Sequence, residues 1–109
     1  MQINIIWDIG VFYDTHGNCP YIEWLHSLSE EVIIIIQHRI RRVRYGNLGD
    51  HKRIDQNIYE LRFFIGPGYR IYFIKLKNNK ILLLNGGTKS TQRKDIIKAN
   101  NLLKKYKGE

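Results

Sequence analysis

The sequence predicts a single α+β domain covering residues 1–109, with helices before and after a run of strands. Apolar residues recur at helical spacing between residues 20 and 44 and again between residues 91 and 106. From Ile58 to Leu76, by contrast, residues alternate between two faces as they do in strands. The expected order is therefore one strand, two helices, three or four strands and a final helix.

The N-terminal part begins with a predicted strand over residues 2–7, in which apolar and polar side chains alternate loosely. Pro20 suits the first turn of a helix, and this helix is expected to run to about Ser29. Ser29 is then expected to cap a second helix, because Glu30 and Glu31 follow it at the positive end of the helix dipole.

The second helix is expected to end near Gly46 and to bury one side. Four residues at helical spacing define that side: Val32, Ile36, Ile40 and Val43. Four arginines are expected on the remaining surface: Arg39, Arg41, Arg42 and Arg44. Ile34 falls opposite the apolar side, where it is a candidate contact for a partner.

Two strands, Ile58–Ile65 and Tyr69–Leu76, are predicted to form an antiparallel hairpin, because only the tight turn at residues 66–68 separates them. One face of this hairpin is expected to supply the core: Leu61, Phe63, Ile71 and Phe73. The opposite face carries Arg62, Arg70 and Tyr72, and the two arginine side chains are expected to lie off the core.

Three further elements are predicted around the hairpin. Lys80–Leu84 is apolar on both faces and is expected to be a central strand that ends at the Gly86-Gly87 pair. Residues His51–Gln56 are a candidate strand before the hairpin. An apolar stripe predicts a last helix from about Thr91 to Tyr106.

Charge is distributed unevenly along the chain. The formal net charge is +8, yet residues 1–38 hold no Lys or Arg and five acids, whereas residues 39–109 hold all 18 Lys and Arg against five acids. This asymmetry indicates a basic surface that faces a polyanion such as RNA. A basic protein without such a partner remains the alternative.

Composition argues against several other classes of protein. No apolar run approaches the roughly 18 residues that a membrane span needs, and the N-terminus lacks the basic region of a secretory signal. A single cysteine, Cys19, and four histidines without metal-ligand spacing predict no metal site and no cofactor. We therefore expect a protein of the reducing cytoplasm that has no membrane partner.

Arg62 and Arg70 are the strongest candidates for a functional site. The strand alternation places both on one face of neighbouring strands, where two guanidinium groups repel each other unless an anion lies between them. The Glu60 carboxylate is one candidate for that anion, and a bound phosphate is the other. Lys89 follows two glycines but lacks the spacing of a nucleotide-hydrolysing phosphate loop.

Five segments in a fixed order resemble the RelE/ParE toxin superfamily, specifically its HigB-like addiction module killer protein branch. They are PYIEWLHSL at 20–28, YGNLGDHK at 45–52, YELR at 59–62, GPGYRIY at 66–72 and GGTKSTQ at 86–92. The resemblance covers nearly the whole chain. It implies a RelE-like fold, with two N-terminal helices packed on a twisted antiparallel sheet and a C-terminal helix.

The resemblance also implies a function, namely the toxin of a type II toxin–antitoxin system that cleaves translated mRNA at the ribosome as a metal-independent endoribonuclease. Its partners would be mRNA, the ribosome and a cognate antitoxin of the helix-turn-helix type. The positions matching the polar motif residues of this branch are Lys52, Arg62, Arg70 and Lys89. The alternative is a ParE-like toxin that is not a nuclease and blocks a protein such as DNA gyrase.

Neighbouring residues complete the candidate site. His51, Lys52 and Arg53 form a basic triplet before the hairpin, and Arg53 is expected to contribute to RNA binding. His51 is a candidate for acid–base catalysis, because histidine is the residue type that exchanges a proton near neutrality. Tyr72 shares the arginine face and is a candidate to position a base or a proton.

Overall fold

The computed structural model describes residues 4–109, which form three helices and one five-stranded sheet. The strands are β1 (Asp8–Val11), β2 (His51–Arg53), β3 (Ile58–Arg62), β4 (Tyr69–Leu76) and β5 (Lys80–Thr88). The helices are α1 (Pro20–His26), α2 (Glu30–Arg44) and α3 (Gln92–Tyr106), and a 3₁₀ turn, Lys89–Thr91, precedes α3. None of these helices has the length and apolar character needed to cross a membrane.

The predicted start and end of α2 are confirmed. The Ser29 side chain accepts a hydrogen bond from the backbone N–H of Val32 at 3.4 Å, which satisfies one of the free donors of the first turn. At the other end Tyr45 is the C-cap, and Gly46 takes a φ of +96°, a left-handed conformation that glycine adopts without steric cost.

The predicted hairpin of β3 and β4 is also confirmed, and β5 extends it. The β3–β4 and β4–β5 pairs are antiparallel. In the turn before β5, Asn78 and Asn79 both take positive φ, the backbone geometry that matches the twist of a tight hairpin. β5 runs on through Gly86 and Gly87, so the expectation that these glycines end the strand is wrong.

The fold class predicted from the sequence is wrong, because the sheet is mixed rather than antiparallel. Its strand order is β1-β5-β4-β3-β2, and β1 runs parallel to β5. Parallel neighbours need a long crossover, which the intervening chain from α1 to β4 provides. The alternation pattern identifies strand faces but contains no information on pairing between segments about seventy residues apart.

The first strand also lies later in the chain than expected. Residues 4–7, part of the strand predicted over residues 2–7, have no regular secondary structure, and residues 2 and 3 lie outside the described part. The backbone N–H groups of Ile6 and Trp7 instead donate to the carbonyl of Arg44 at 2.9 and 3.0 Å. This segment is therefore anchored to the end of α2 before β1 begins.

Helices cover both faces of the sheet and create two separate cores. On one face, the predicted core residues Leu61, Phe63, Ile71 and Phe73 pack with α1 and α2, including Ile36 and Val43, which confirms the choice of core face. On the other face, α3 packs on a second cluster. That cluster contains Ile58, Tyr72, Ile74, Leu84, Ala99, Leu102 and Leu103. The arginine-bearing face is therefore not an open surface.

Replacing Phe63 by alanine tests the core assignment. Phe63 is 5% exposed, and we expect Phe63→Ala to lower the free energy of unfolding by about 3–5 kcal/mol through lost burial and a residual cavity. The adjacent Phe64 is 81% exposed, so Phe64→Ala is a matched control that should change stability by less than about 0.5 kcal/mol. Urea unfolding followed by circular dichroism measures both. Equal losses for the two variants would contradict the assignment.

Candidate functional site

Polar side chains form two rows across the sheet on the face that α3 covers. In the first row, Lys52 pairs with Glu60, Glu60 with Tyr72, and Tyr72 with Asn85. Paired residues of neighbouring strands point to the same face, so this row crosses four strands. A bulge between Tyr72 and Phe73 leaves Leu84 as an extra residue, which lets Leu84 and Asn85 both point towards α3.

The second row, which we call the arginine row, contains Arg62 and Arg70. Arg62 and Arg70 are directly opposite each other, and Gly87 lies beyond Arg70 on β5. Asp50 binds Arg62, with 2.9 Å between the Asp50 Oδ1 and Arg62 Nη2 atoms. Among residues 4–109, the buried Nε atoms of both arginines and the Nη1 atom of Arg70 have no hydrogen-bond partner. Asp50 is thus the one carboxylate within 4.0 Å of either guanidinium among residues 4–109, and the unpartnered donors are buried.

The expectation that the Arg62 and Arg70 side chains lie off the core is wrong, because α3 buries much of this face. Arg70 is 7% exposed and Tyr72 is fully buried, whereas the Arg62 side chain keeps 32% of its exposure. The reason is α3, whose packing on the strand face the alternation pattern did not reveal. Arg62 is therefore the more accessible of the two guanidinium groups.

Glu60 does not lie between the arginines as an ion-pair partner. Its Oε2 atom accepts a hydrogen bond from Gln92 Nε2 at 2.7 Å, which joins β3 to the first residue of α3. Burial and then the neighbouring Glu60 carboxylate raise the pKa of Tyr72 above its ordinary value of 10.0. Tyr72 is consequently a neutral phenol near pH 7, suited to positioning its neighbours and unsuited to acting as a phenolate base.

The glycine pair of β5 allows α1 and α3 to approach the sheet closely. A Cβ atom at Gly86 would overlap the indole of Trp24, and one at Gly87 would overlap the Asp95 carboxylate. Asp95 also accepts a hydrogen bond from the Thr91 hydroxyl, and its backbone carbonyl accepts one from Asn85 Nδ2 at 3.0 Å. These glycines therefore serve close packing on both faces.

Lys89 lies beside Arg70 at the turn between β3 and β4. Its backbone N–H donates to the carbonyl of Gly68 at 2.8 Å, and its side chain is exposed. A Cβ atom at Gly68 would be 3.3 Å from the Lys89 Cβ atom and 4.0 Å from the Arg70 Nη2 atom. The structure thus places Lys89 at the turn that precedes Arg70.

The basic triplet divides between the two faces of β2. Lys52 shares the face of Glu60, whereas His51 and Arg53 pair with residues of the opposite face. The His51 Nδ1 atom is 2.9 Å from the Gly49 carbonyl oxygen, and Arg53 donates to the carbonyls of residues 55 and 56 at 2.9 and 2.7 Å. All three side chains are exposed. Only Lys52 therefore points to the same face as the arginine row.

A protein of Haemophilus influenzae described as an uncharacterized protein is 44% identical to this chain over 80 residues. The match covers 72% of this chain and 81% of that protein. The two chains belong to one family. No family model matches this chain. The relative's description names no activity, so the likeness to the RelE/ParE superfamily remains a prediction.

The site contains no candidate metal centre. In the part of the chain that the structure describes, no group of three or more His, Cys, Asp or Glu side chains could hold a metal ion. Exposed lysines flank the pair of guanidinium groups, and cationic side chains of these types form charge-assisted hydrogen bonds with phosphate oxygens. This is the chemistry of a phosphate site.

Arg39 supports the site, although the sequence places it on the surface of α2. It is 8% exposed, and its guanidinium donates four hydrogen bonds to backbone carbonyls. Two reach Leu48 at 3.0 and 2.7 Å, one reaches Asp50 at 2.7 Å and one reaches Arg62 at 3.0 Å. It also lies 4.9 Å from the centre of the Phe63 ring. The signal available in the sequence was the position of Arg39 between Ile36 and Ile40.

Replacing Arg39 by methionine should loosen the site. Arg39→Met keeps the side-chain volume but leaves three carbonyls without their donor, so we expect a loss of about 1–3 kcal/mol in the free energy of unfolding. Arg41→Met, on the exposed side of the same helix, is the control and should change stability by less than about 0.5 kcal/mol. Hydrogen exchange should accelerate between residues 47 and 52 in Arg39→Met alone. Unchanged exchange there would contradict the supporting role.

Proposed function

We propose that this chain is the toxin of a type II toxin–antitoxin system and that it cleaves translated mRNA at the ribosome. The arginine pair is the observation that carries the proposal. Arg62 and Arg70 are opposite each other on neighbouring strands, retain unpartnered N–H donors and have one carboxylate, Asp50, within 4.0 Å among residues 4–109. Guanidinium groups match the oxygens of a phosphate, and the net charge of +8 favours a polyanionic substrate.

The proposed reaction needs no metal ion. The 2′-hydroxyl of one nucleotide gives its proton to a base and attacks the adjacent phosphorus, so that a P–O bond forms. The bond to the 5′ oxygen breaks, and an acid gives that oxygen a proton. The products are a 2′,3′-cyclic phosphate and a 5′-hydroxyl end. Negative charge grows on the phosphoryl oxygens during this step, and donors already fixed in place stabilise that charge without reorganising.

Each candidate residue has a role in this proposal. Arg62 is the accessible clamp on the scissile phosphate, and the buried Arg70 supplies the second cation behind it. Lys89 and Lys52, both exposed, bind the flanking phosphates or help proton transfer. Tyr72 lies opposite Glu60 on the neighbouring strand and is proposed to position that carboxylate from inside the core.

His51 and Arg53 remain candidates at the edge of the sheet. His51 is the histidine nearest in sequence to this group and is proposed for proton transfer; Arg53 is proposed to contact RNA beyond the cleavage site. Such a toxin would act in the cytoplasm, where the ribosomes are, and a cognate antitoxin would neutralise it there.

Variants of the two arginines test the proposal. Arg62→Ala and Arg70→Ala should each relieve growth arrest on induction, because losing one phosphate donor lowers the cleavage rate on the order of a hundredfold. Arg70 is buried, so its alanine variant should also lose about 1–3 kcal/mol of stability, whereas the more exposed Arg62 should cost less.

Two controls separate lost chemistry from lost folding. Arg93→Ala removes an exposed cation from α3 and should leave toxicity unchanged. Arg62→Lys keeps the positive charge but cannot form the bidentate hydrogen bonds of a guanidinium, so it should be less active than the parent chain. Full toxicity of both alanine variants at equal soluble expression would contradict the assignment of the site.

A further inference from the structure

Phe64 is an exposed aromatic side chain in the turn between β3 and β4. It is 81% exposed, more than any other large apolar side chain among residues 4–109. Burial of a ring of this size favours folding, and Phe64 contributes little of that free energy. Single exposed apolar residues are common on protein surfaces, so the significance of Phe64 depends on where it lies.

Backbone hydrogen bonds place Phe64 in a third row of the sheet, next to the arginine row. The N–H of Phe63 donates to the Tyr69 carbonyl at 3.0 Å, which continues the register of β3 and β4 and sets Phe64 opposite Gly68. The N–H of Lys89 donates to the Gly68 carbonyl at 2.8 Å, so Lys89 continues the row on the other side. We call Phe64, Gly68 and Lys89 the turn row. Gly68 contributes no side chain between the aromatic ring and the lysine.

The turn row lies on the same face of the sheet as the arginine row. Phe63 packs in the core beneath α1 and α2, so alternation directs Phe64 to the opposite face. A Cβ atom at Gly68 would be 4.0 Å from the Arg70 Nη2 atom. Two residues along a strand span about 6.6 Å, which is therefore the separation between Phe64 and Arg62 along β3. The sugar of one nucleotide bridges a gap of this size between its phosphate and its base.

The turn holds Phe64 in a fixed position. The N–H of Gly68 donates to the Ile65 carbonyl at 2.9 Å, which closes the turn. Gly66 and Gly68 take φ values of +50° and +78°, in the left-handed region that glycine adopts without steric cost. Pro67 lies between them, and its ring restricts its own φ. A ring attached to such a turn loses little conformational freedom when a ligand binds.

The charges around Phe64 favour RNA as its ligand. Arg62 is partly exposed and Lys89 is exposed, so both flanking cations are accessible. Ile65, at 36% exposure, is the other large apolar side chain of the turn. Two such side chains between cations are far smaller than a stable protein interface. An aromatic ring beside cations is the combination that binds single-stranded nucleic acid, with the ring on a base and the cations on the backbone.

We infer that Phe64 stacks on a base of one of the two nucleotides joined by the phosphate that Arg62 binds. The inference rests on the proposed function, because it takes the arginine row as the phosphate site, and it adds a base-binding residue to that site. The RNA must be single-stranded there, because a base inside a duplex is already stacked on its neighbours. Every base has a π-face, so this contact holds the substrate without reading its sequence.

A dinucleotide that cannot be cleaved tests the inference on the full chain. It contains two adenines and one phosphate, and its first sugar lacks the 2′-hydroxyl that would attack. Titration into ¹⁵N-labelled protein should shift the amide signals of Phe64, Gly68 and Lys89 together with those of Arg62 and Arg70. Two analogues, each lacking one base, show which base is stacked. Loss of that base should weaken binding to the parent chain about tenfold.

Variants of Phe64 separate stacking from other contacts. Phe64→Ala should bind the dinucleotide about tenfold more weakly and should then lose less than about twofold when the stacked base is also removed. Phe64→Leu keeps an apolar side chain without a π-face and should bind as weakly as Phe64→Ala, whereas Phe64→Trp should bind at least as tightly as the parent chain. Tyr13→Ala is the matched aromatic control. Tyr13 is 60% exposed and lies by Lys105 and Tyr106 at the far end of α3, so this variant should change binding about twofold or less.

The outcomes distinguish failure of the stacking from failure of the phosphate site. Shifts at Arg62 and Arg70 with equal affinity for the parent chain and Phe64→Ala would overturn the stacking and keep the phosphate site. The exposed turn would then be a contact for a protein. Parent affinity in Phe64→Leu would also overturn the stacking, because it would show an apolar contact without a π-face. No shift at Arg62 or Arg70 at millimolar dinucleotide would overturn the phosphate site and the inference with it.

Discussion

The guanidinium of Arg39 is the interaction on which the arrangement of the candidate site depends. It joins α2 to the loop before β2 and to the end of β3 through carbonyls of Leu48, Asp50 and Arg62. Burial lowers the pKa of Arg39, yet an arginine starts so high that it keeps its charge. Asp50 and Arg62 are also the residues that form the ion pair. The buried guanidinium of Arg39 thus holds the backbone of Asp50 and Arg62, the two residues at the more exposed end of the arginine row.

Close packing around Arg39 explains why the loop before β2 has a glycine at position 49. A Cβ atom at Gly49 would lie 3.0 Å from the Arg39 guanidinium, and Gly49 takes a φ of +65°. Glycine therefore meets two requirements at this position, namely room for the guanidinium and a left-handed backbone. Nearby, the Asn47 side chain accepts a hydrogen bond from the Gly49 N–H at 3.1 Å, which holds the turn from within.

The second constraint is the polar interior beneath α3. Gln92 binds Glu60 from the first turn of α3, and the Asp95 carbonyl accepts a hydrogen bond from Asn85 of β5. These contacts hold the N-terminal end of α3, and the turn that carries Lys89, against the row of Glu60 and Tyr72. A guanidinium group on a rigid strand with fixed neighbours is suited to stabilising the negative charge that grows on a phosphate, because little reorganisation accompanies the reaction. Arg70 thus belongs to the buried interior, whereas Arg62 lies partly at the surface.

Local chemistry made much of this structure predictable from the sequence. The Ser29 cap, the Gly46 stop and the alternation of β3 and β4 depend on residues close together in the chain. What could not be predicted depends on distant segments. The parallel pairing of β1 with β5, the cover that α3 places over Tyr72 and the burial of Arg39 all arise from tertiary packing. For the same reason a glycine pair that resembles a strand end instead lies inside β5, where Trp24 and Asp95 approach it.

The central claim is that the arginine row cuts RNA. Sequencing of RNA 5′ ends a few minutes after induction of the chain tests it most directly, with and without a drug that blocks translation initiation. The account predicts new 5′-hydroxyl ends inside translated codons, paired with 2′,3′-cyclic phosphates, and their disappearance when initiation is blocked. Growth arrest with intact messenger RNA and altered plasmid supercoiling would contradict it and would indicate a protein target instead.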